Sequence, residues 1–157
     1  LALKYGCDDQ KAYFAGLLHD ITKNLSDEKQ LQIIRDFDII LTDVELNAKK
    51  LWHAITGTAY VKNVLKIGDE EILNAIRYHT TAKADMSLLE TVLYLADFTS
   101  ADRDYDDVDV MRSLAEKSMY EALKYALSYT VKDLALRELA IHPDTLEAYN
   151  QIFILKR

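Results

Sequence analysis

The sequence has few of the residues that interrupt regular secondary structure. Only four glycines and one proline occur among 157 residues, which leaves few turn residues for a many-stranded sheet. Half of the residues are hydrophobic, and a chain of about 150 residues buries enough surface to fold without a covalent staple. We therefore predict a single all-α domain, a helical bundle that extends over residues 1–157.

The sequence is also short of cysteine, of long apolar runs and of positive charge, and each shortage argues against a kind of site, location or partner. A single cysteine, Cys7, excludes an internal disulfide and a cysteine-based metal site. There is no apolar run of about 18 residues and no secretory signal, which predicts a cytoplasmic protein without a membrane partner. Lys and Arg number 19 against 26 Asp and Glu, and the net charge of −7 disfavours nucleic acid as a partner. Ten tyrosines permit a homodimer without requiring one.

Capping residues and apolar periodicity place the helices. Ser26 is a helix start, and Thr42-Asp43-Val44-Glu45 has the pattern of a capping box. The segment from Ser87 to Phe98 is apolar almost all round, which is typical of a central helix. Beyond it, we predict amphipathic helix that is broken near Lys117-Ser118.

The stretch Gly16-Leu17-Leu18-His19-Asp20 puts a histidine and an aspartate at the end of an apolar run, where burial is predicted. Burying an ionised carboxylate that has no compensating partner costs on the order of several kcal/mol. A cation shared with the neighbouring imidazole is one such partner. His53 and His79 lie on apolar helix faces. Asp97 falls one turn after Leu93 in the predicted central helix. These positions bring histidine and carboxylate groups to the interior.

Each of these residues also has a structural interpretation. A single histidine on an apolar helix face is more often a buried core residue than a ligand, and a lone buried aspartate can be a cap or an ion-pair partner. The combination favours a metal, because the sequence offers no set of buried Lys or Arg to neutralise the carboxylates. Imidazole nitrogen and carboxylate oxygen are the ligands of catalytic iron, manganese or zinc. The candidates are His19, Asp20, His53, His79 and Asp97.

Other catalytic arrangements find little support in the sequence. There is no Gly-x-Ser-x-Gly motif and no glycine-rich phosphate loop. The fourth histidine, His142, precedes Pro143 in a loop, and we interpret it as structural or exposed. In the helix that Pro143 begins, Asp144 and Glu147 fit a cap and its reciprocal partner.

The candidate ligands also resemble those of a known family. The order His19-Asp20, His53, His79 and Asp97 is similar to that of the HD-domain metallophosphohydrolases. The flanking segments resemble the bacterial YqeK family over essentially the whole chain. These segments are Ala15-Gly16-Leu17-Leu18-His19-Asp20-Ile21-Thr22-Lys23, Tyr78-His79-Thr80-Thr81, Tyr94-Leu95-Ala96-Asp97 with Arg103, and Ile141-His142-Pro143-Asp144-Thr145-Leu146-Glu147-Ala148-Tyr149-Asn150.

This resemblance implies an activity and a cofactor. The implied reaction is the symmetrical hydrolysis of dinucleoside tetraphosphates, such as diadenosine tetraphosphate, into two nucleoside diphosphates at a di-iron site, with manganese as the alternative metal. All five candidates become metal ligands. The family also has a further histidine on the preceding helix, and no histidine precedes His19 here. We therefore expect the chain to lack the N-terminal part of its first helix.

The chemistry of a phosphoanhydride fits these ligands. Its hydrolysis needs cations on the phosphoryl oxygens and a nucleophile near neutral pH, and two divalent metals supply both. As a hypothesis, Asp20 is the catalytic carboxylate that bridges two metals. His19 and Asp97 would hold one metal, and His53 and His79 the other.

Three basic residues near these ligands are candidates for binding the outer phosphates. They are Lys23, Arg103 and Lys83. Arg can hold phosphate oxygens in a bidentate manner, while Lys acts as a point charge. The alternative for each is a solvated surface charge.

Two other functions compete with the tetraphosphatase. The first is another HD-type enzyme, a nucleotidase or phosphodiesterase that acts on a nucleoside monophosphate or a cyclic nucleotide. The second is a nucleotide-binding module without catalysis. A purely structural helical protein would leave several buried histidines and aspartates without a role.

Overall fold

The computed structural model describes residues 1–154, which form α-helices joined by turns, with no β-strand in that range. This confirms the all-α prediction, and residues 155–157 of the predicted domain lie outside the described part. A 3₁₀ turn, Lys49–Leu51, precedes the fifth helix. The helices are α1 (Ala2–Tyr5), α2 (Asp9–Leu18), α3 (Asp27–Asp36), α4 (Asp43–Asn47), α5 (Trp52–Asn63), α6 (Glu70–Tyr78), α7 (Leu88–Thr99), α8 (Val108–Lys117), α9 (Met119–Leu136) and α10 (Pro143–Ile154).

The predicted helix boundaries are confirmed where a capping side chain defines them. Ser26 accepts a hydrogen bond from the Lys29 amide at the start of α3. Thr42 and Glu45 form the predicted capping box of α4. Ser118 separates α8 from α9, as the predicted break requires. Hydrogen bonds between residues three apart therefore define these helix ends.

Helix α7 lies between two apolar clusters and confirms the prediction of a central helix. Its Leu89 and Leu93 pack with residues of α2, α5 and α6, and its Tyr94 and Leu95 pack with residues of α8, α9 and α10. This position carries Asp97, near the end of α7, toward the ends of α2 and α6. None of the helices within residues 1–154 combines the length and the apolar character that crossing a membrane requires.

The start of α10 differs from the prediction. Asp144 lies inside the helix and Glu147 is exposed, so these residues do not form the predicted capping pair. Instead, the His142 Nδ1 accepts a hydrogen bond from the Asp144 amide at 3.2 Å. His142 is structural and buried, with 7% of its surface exposed. The position before the helix belongs to His142 because α10 begins at Pro143, one residue before Asp144. The same imidazole contacts α4, where its Nε2 lies 3.5 Å from the Glu45 Oε1.

Candidate metal centre

The predicted ligands lie at helix ends. His19 follows the last residue of α2, and His79 follows the last residue of α6. Asp97 lies two residues before the end of α7, and His53 is the second residue of α5. The C-terminal end of a helix carries a partial negative charge. Three such ends therefore favour a cation between them.

The side chains of the predicted ligands meet at Asp20. Its Oδ1 lies 3.3 Å from the His53 Nε2 and 3.6 Å from the His79 Nε2. Its Oδ2 lies 3.3 Å from the His19 Nε2, which is also 3.9 Å from the Asp97 Oδ1. The structure thus brings all five residues together, with Asp20 at the centre of the group.

The group is compact enough to share a metal ion. His19, Asp20 and His79 each offer one ligand atom, and these atoms lie within 4.8 Å of one another. The His53 Nε2 is 3.1 Å from the His79 Nε2. His79 therefore neighbours both other histidines, and the division of the ligands between two ions stays a prediction.

Two of these histidines are oriented by a hydrogen bond to the backbone three residues earlier. The His19 Nδ1 donates to the Gly16 carbonyl at 2.7 Å, and the His79 Nδ1 donates to the Ile76 carbonyl at 2.7 Å. A carbonyl oxygen only accepts, so the Nδ1 of His19 and of His79 carries the proton and the Nε2 presents a lone pair. Metal-ligating histidines are commonly oriented in this way.

The protonation states of His53 and Asp20 at neutral pH also suit metal ligands. Burial and the neighbouring His79 lower the pKa of His53 to about 4, so this imidazole is neutral. Burial raises the pKa of Asp20, but its contacts with His19, His79 and Lys23 outweigh burial and hold this pKa well below its usual range. Burial lowers the pKa of His19, yet its contact with Asp20 outweighs burial and leaves this pKa raised. Asp20 is therefore an anion, as a metal ligand must be.

A divalent cation accounts for a buried oxygen that the described part of the protein leaves without a hydrogen-bond partner. The Nε2 atoms of His53 and His79 face each other at 3.1 Å. The Asp20 Oδ1 is buried and has no hydrogen-bond partner among residues 1–154, which is unfavourable for a charged oxygen. A cation that prefers nitrogen and oxygen ligands would bind these lone pairs together. The residues present therefore fit a divalent metal.

Two of the three predicted phosphate-binding residues lie beside ligand carboxylates. The Lys23 Nζ is 2.7 Å from the Asp20 Oδ2. The Arg103 Nε donates to the Asp97 carbonyl at 2.9 Å, and its Nη2 donates to the Asp97 carboxylate. Both cations therefore lie at the edge of the group, where a phosphate bound by the metal would be within reach.

Lys83 has a different environment. Its Nζ lies 3.4 Å from an oxygen of Glu90, a buried carboxylate, and 5.5 Å from the centre of the Tyr78 ring. This contact balances a buried charge, which is a structural role. The phosphate-binding role of Lys83 stays a prediction.

Sequence reasoning missed a buried polar network behind Asp20. It consists of Thr22, Gln30 and Thr56, which are joined by side-chain hydrogen bonds. In the sequence, these are only three polar residues in segments that are otherwise predicted to be core or helix surface. Such a pattern does not reveal partners that lie 26 to 34 residues apart in the sequence.

The comparison with known protein families agrees with this geometry. Residues 1–102 match the HD domain, so the chain belongs to the HD-domain family, whose members bind divalent metals.

Curated relatives narrow the resemblance to one kind of enzyme. The chain is 37% identical over 150 residues to the symmetrical bis(5'-nucleosyl)-tetraphosphatase of Bacillus subtilis, covering 96% of this chain and 80% of the relative. It is 36% identical over 154 residues to the enzyme of the same name from Halalkalibacterium halodurans, covering 98% and 82%. The Staphylococcus aureus enzyme of that name is 31% identical over 157 residues, covering 96% and 79%.

A solved structure shares the fold. It is a crystal structure from Clostridium acetobutylicum, described as a predicted HD superfamily hydrolase involved in NAD metabolism. The TM-score is 0.92 with 35% sequence identity, covering 99% of this chain and 82% of that chain. The arrangement of helices that brings the five side chains together is therefore that of an HD hydrolase.

Proposed function

We propose that this protein is a metal-dependent hydrolase that cleaves dinucleoside tetraphosphates, such as diadenosine tetraphosphate, symmetrically into two nucleoside diphosphates. The observation that carries the proposal is that three histidines and Asp97 lie around Asp20, in a chain that is 31% to 37% identical to three symmetrical tetraphosphatases. In the reaction, water adds across the central phosphoanhydride bond. One product takes the oxygen of the water and the other keeps the bridging oxygen.

The proposed ligands are the five residues predicted from the sequence. When bound, divalent cations at such a site polarise phosphoryl oxygens and lower the pKa of a water molecule, so that a nucleophile exists near neutral pH. Asp20 would bridge through its two oxygens, because each oxygen faces a different imidazole. His19, His53, His79 and Asp97 would complete the ligand set.

The substrate carries several negative charges, and the protein itself has a net charge of −7. Local cations must therefore hold the phosphates. Lys23 and Arg103 are the proposed residues, because each already contacts a ligand carboxylate. Arg103 offers a planar group that can bind two phosphate oxygens at once.

Further parts of the proposal concern the metal, the domain and the compartment. Iron is the proposed metal and manganese the alternative, since both accept imidazole and carboxylate ligands. Residues 1–157 are proposed to form one HD domain. The proposed compartment is the cytoplasm, which the single cysteine favours.

The experiment is a substrate panel with the wild-type protein loaded with Fe(II) or Mn(II). Diadenosine tetraphosphate, deoxynucleoside monophosphates and cyclic dinucleotides are compared under identical conditions by chromatography of the products. The proposal predicts turnover of the tetraphosphate well above that of the other substrates. Faster turnover of a monophosphate or cyclic dinucleotide would assign the site to another HD-type reaction, and metal and nucleotide binding without turnover would indicate a binding module.

A further inference from the structure

The segment that carries Asp20 is a series of tight turns. After α2 ends, the Ile21 amide donates to the Leu18 carbonyl at 3.1 Å and the Lys23 amide donates to the Asp20 carbonyl at 2.9 Å. The Leu25 amide likewise donates to the Thr22 carbonyl at 3.1 Å. All of these bonds are local. They leave the orientation of residues 19–25 relative to α5 to other contacts.

Thr22 provides such a contact at the position that matters for the metal. Its side chain is buried, with 1% of the residue exposed. The Thr22 Oγ1 donates to the His53 carbonyl at 2.9 Å and lies 2.8 Å from the Thr56 Oγ1. The hydroxyl therefore connects the turn of one predicted ligand, Asp20, to the residue that supplies another, His53.

A second layer of hydrogen bonds supports this connection. The Thr56 hydroxyl, whose single proton also has the Trp52 carbonyl at 2.8 Å, lies 3.3 Å from the Gln30 Oε1. The Gln30 Nε2 donates to the Leu25 carbonyl at 3.2 Å. Leu25 belongs to the same turn as Thr22, so these contacts connect the turn to α3 and α5. The three polar side chains are buried. Buried networks whose members are all bonded hold their surroundings rigidly.

Helix α5 lies close to this turn at Gly57. A Cβ atom at Gly57 would come within ordinary van der Waals contact of the Thr22 Oγ1, at 3.5 Å, and of the His19 carbonyl oxygen, at 3.6 Å. The Thr22 hydrogen bond to the His53 carbonyl sets the distance between the turn and α5 at this point. The separation of 3.3 Å between the Asp20 Oδ1 and the His53 Nε2 depends on that distance.

We propose that Thr22 is a positioning residue for the metal centre, which fixes Asp20 against His53 and thereby sets the affinity for the metal. The inference rests on the proposed metal site. Thr22 touches neither metal nor substrate in this role and acts through the backbone of His53. Changes to the partners that orient metal ligands typically weaken metal binding about 10- to 100-fold.

The test compares three variants of the whole chain. Thr22→Val removes the hydroxyl and nearly keeps the shape, and Thr22→Ser keeps the hydroxyl. Thr91→Val is the matched control, because its buried hydroxyl donates at 2.9 Å to the carbonyl of Ser87, the residue that caps the start of α7. Mn²⁺ affinity is measured without nucleotide by competition with a chelator, and circular dichroism checks the fold.

We expect Thr22→Val to weaken Mn²⁺ binding about tenfold or more, with wild-type helix content, while Thr22→Ser and Thr91→Val bind like the wild type. Wild-type affinity in Thr22→Val, or an equal loss in Thr91→Val, would overturn the inference. Should Thr22→Val not fold, Thr22→Ala decides, because it removes the same hydroxyl and its hydrogen bond to the His53 carbonyl with a smaller side chain. Weaker Mn²⁺ binding there supports the role, and unchanged binding overturns it.

The readout also separates this inference from the proposed function. A wild-type protein that binds Mn²⁺ but leaves diadenosine tetraphosphate intact would contradict the proposed reaction only. The role of Thr22 would still be decided by the Mn²⁺ affinities of its variants.

Discussion

The substitution Asp20→Asn tests the centre of the proposed site. It keeps the size and shape of the side chain but removes its negative charge. In the wild type, the two carboxylate oxygens lie 3.3 to 3.6 Å from three imidazole nitrogens. The variant keeps those nitrogens and loses the anion between them, so any change in metal binding reports on the carboxylate charge.

The expected loss follows from these distances. A cation that the imidazole nitrogens hold lies within about 4 Å of the Asp20 charge, given nitrogen-to-metal bonds of about 2 Å. Two unit charges about 4 Å apart at an effective dielectric constant of about 20 interact by about 4 kcal/mol, and a divalent cation interacts more strongly than a unit charge. About 1.4 kcal/mol corresponds to a tenfold change, so we expect metal binding to weaken by at least about a thousandfold. Hydrolysis should fall at least as far at limiting metal.

The assay is metal content after desalting, together with calorimetric titration of Mn²⁺ and turnover of diadenosine tetraphosphate. Asp133→Asn is the control, since it changes the net charge equally at a surface ion pair with Arg137. It should retain wild-type metal content and turnover. If Asp20→Asn keeps two equivalents of metal and wild-type activity, Asp20 is not the bridging ligand.

Three further predictions concern the surroundings of the site. Arg103→Ala should lower kcat/KM for the tetraphosphate about 10- to 100-fold, since the charge-assisted contact of the guanidinium with a substrate phosphate is lost. If steady-state kinetics give an unaltered KM and kcat, Arg103 does not bind the substrate. Arg77→Met leaves the buried Glu45 carboxylate with hydrogen bonds from Thr42 but without the Arg77 charge. The free energy of unfolding, measured in urea, should therefore drop by about 3 kcal/mol. A loss under about 1 kcal/mol would show that the Arg77 charge stabilises the fold no more than a surface ion pair does. Burial raises the pKa of Glu45, but the Thr42 hydrogen bonds and the Arg77 charge outweigh burial and hold this pKa below its ordinary value of 4.5. As the pH falls, the unfolded chain therefore takes up the Glu45 proton before the folded chain does. The contribution of Glu45 to stability is complete above about pH 4.5 and declines as the pH falls through the folded-state pKa. In a plot of the free energy of unfolding against pH, Glu45→Gln should reduce the slope on the acid side, and an unchanged slope would contradict the lowered pKa of Glu45.

Local signals predicted the helices because their ends are set by neighbouring residues. Thr42 and Glu45 close a capping box three residues apart, and Ser118 caps α9 where the amphipathic pattern breaks. The apolar character of Ser87 to Phe98 predicted that α7 would be central, since burial on all sides needs apolar residues on all sides. The structure confirms these three features.

The convergence of the ligands was also foreseeable from the sequence. His53 and His79 lie on apolar faces, so packing directs them inward. His19 and Asp20 end an apolar helix, and a carboxylate in such a place needs a partner. Their roles as ligands remain predictions that the Asp20 variant and the metal content will decide.

Contacts between distant segments were beyond sequence reasoning. Thr22 reaches the His53 carbonyl, 31 residues away, and Arg77 reaches Glu45, 32 residues away. Such pairs depend on how helices pack, and no local periodicity encodes them. The contact of Lys83 with Glu90, which lies in the next helix, was not predicted for the same reason. Nor was the environment of His142, whose ring caps α10 and also contacts Glu45 of α4.

The most direct test of the proposed function is the product pattern of the metal-loaded wild-type protein. Diadenosine tetraphosphate is incubated with the protein in the presence of Fe(II) or Mn(II). The nucleotide products are separated and quantified, and the number of metal ions bound per protein molecule is measured in the same preparation. Symmetrical cleavage predicts ADP as the sole product, two molecules for each substrate molecule, in protein that holds about two metal ions. AMP and ATP in equal amounts, or no hydrolysis in fully metal-loaded protein, would contradict the account.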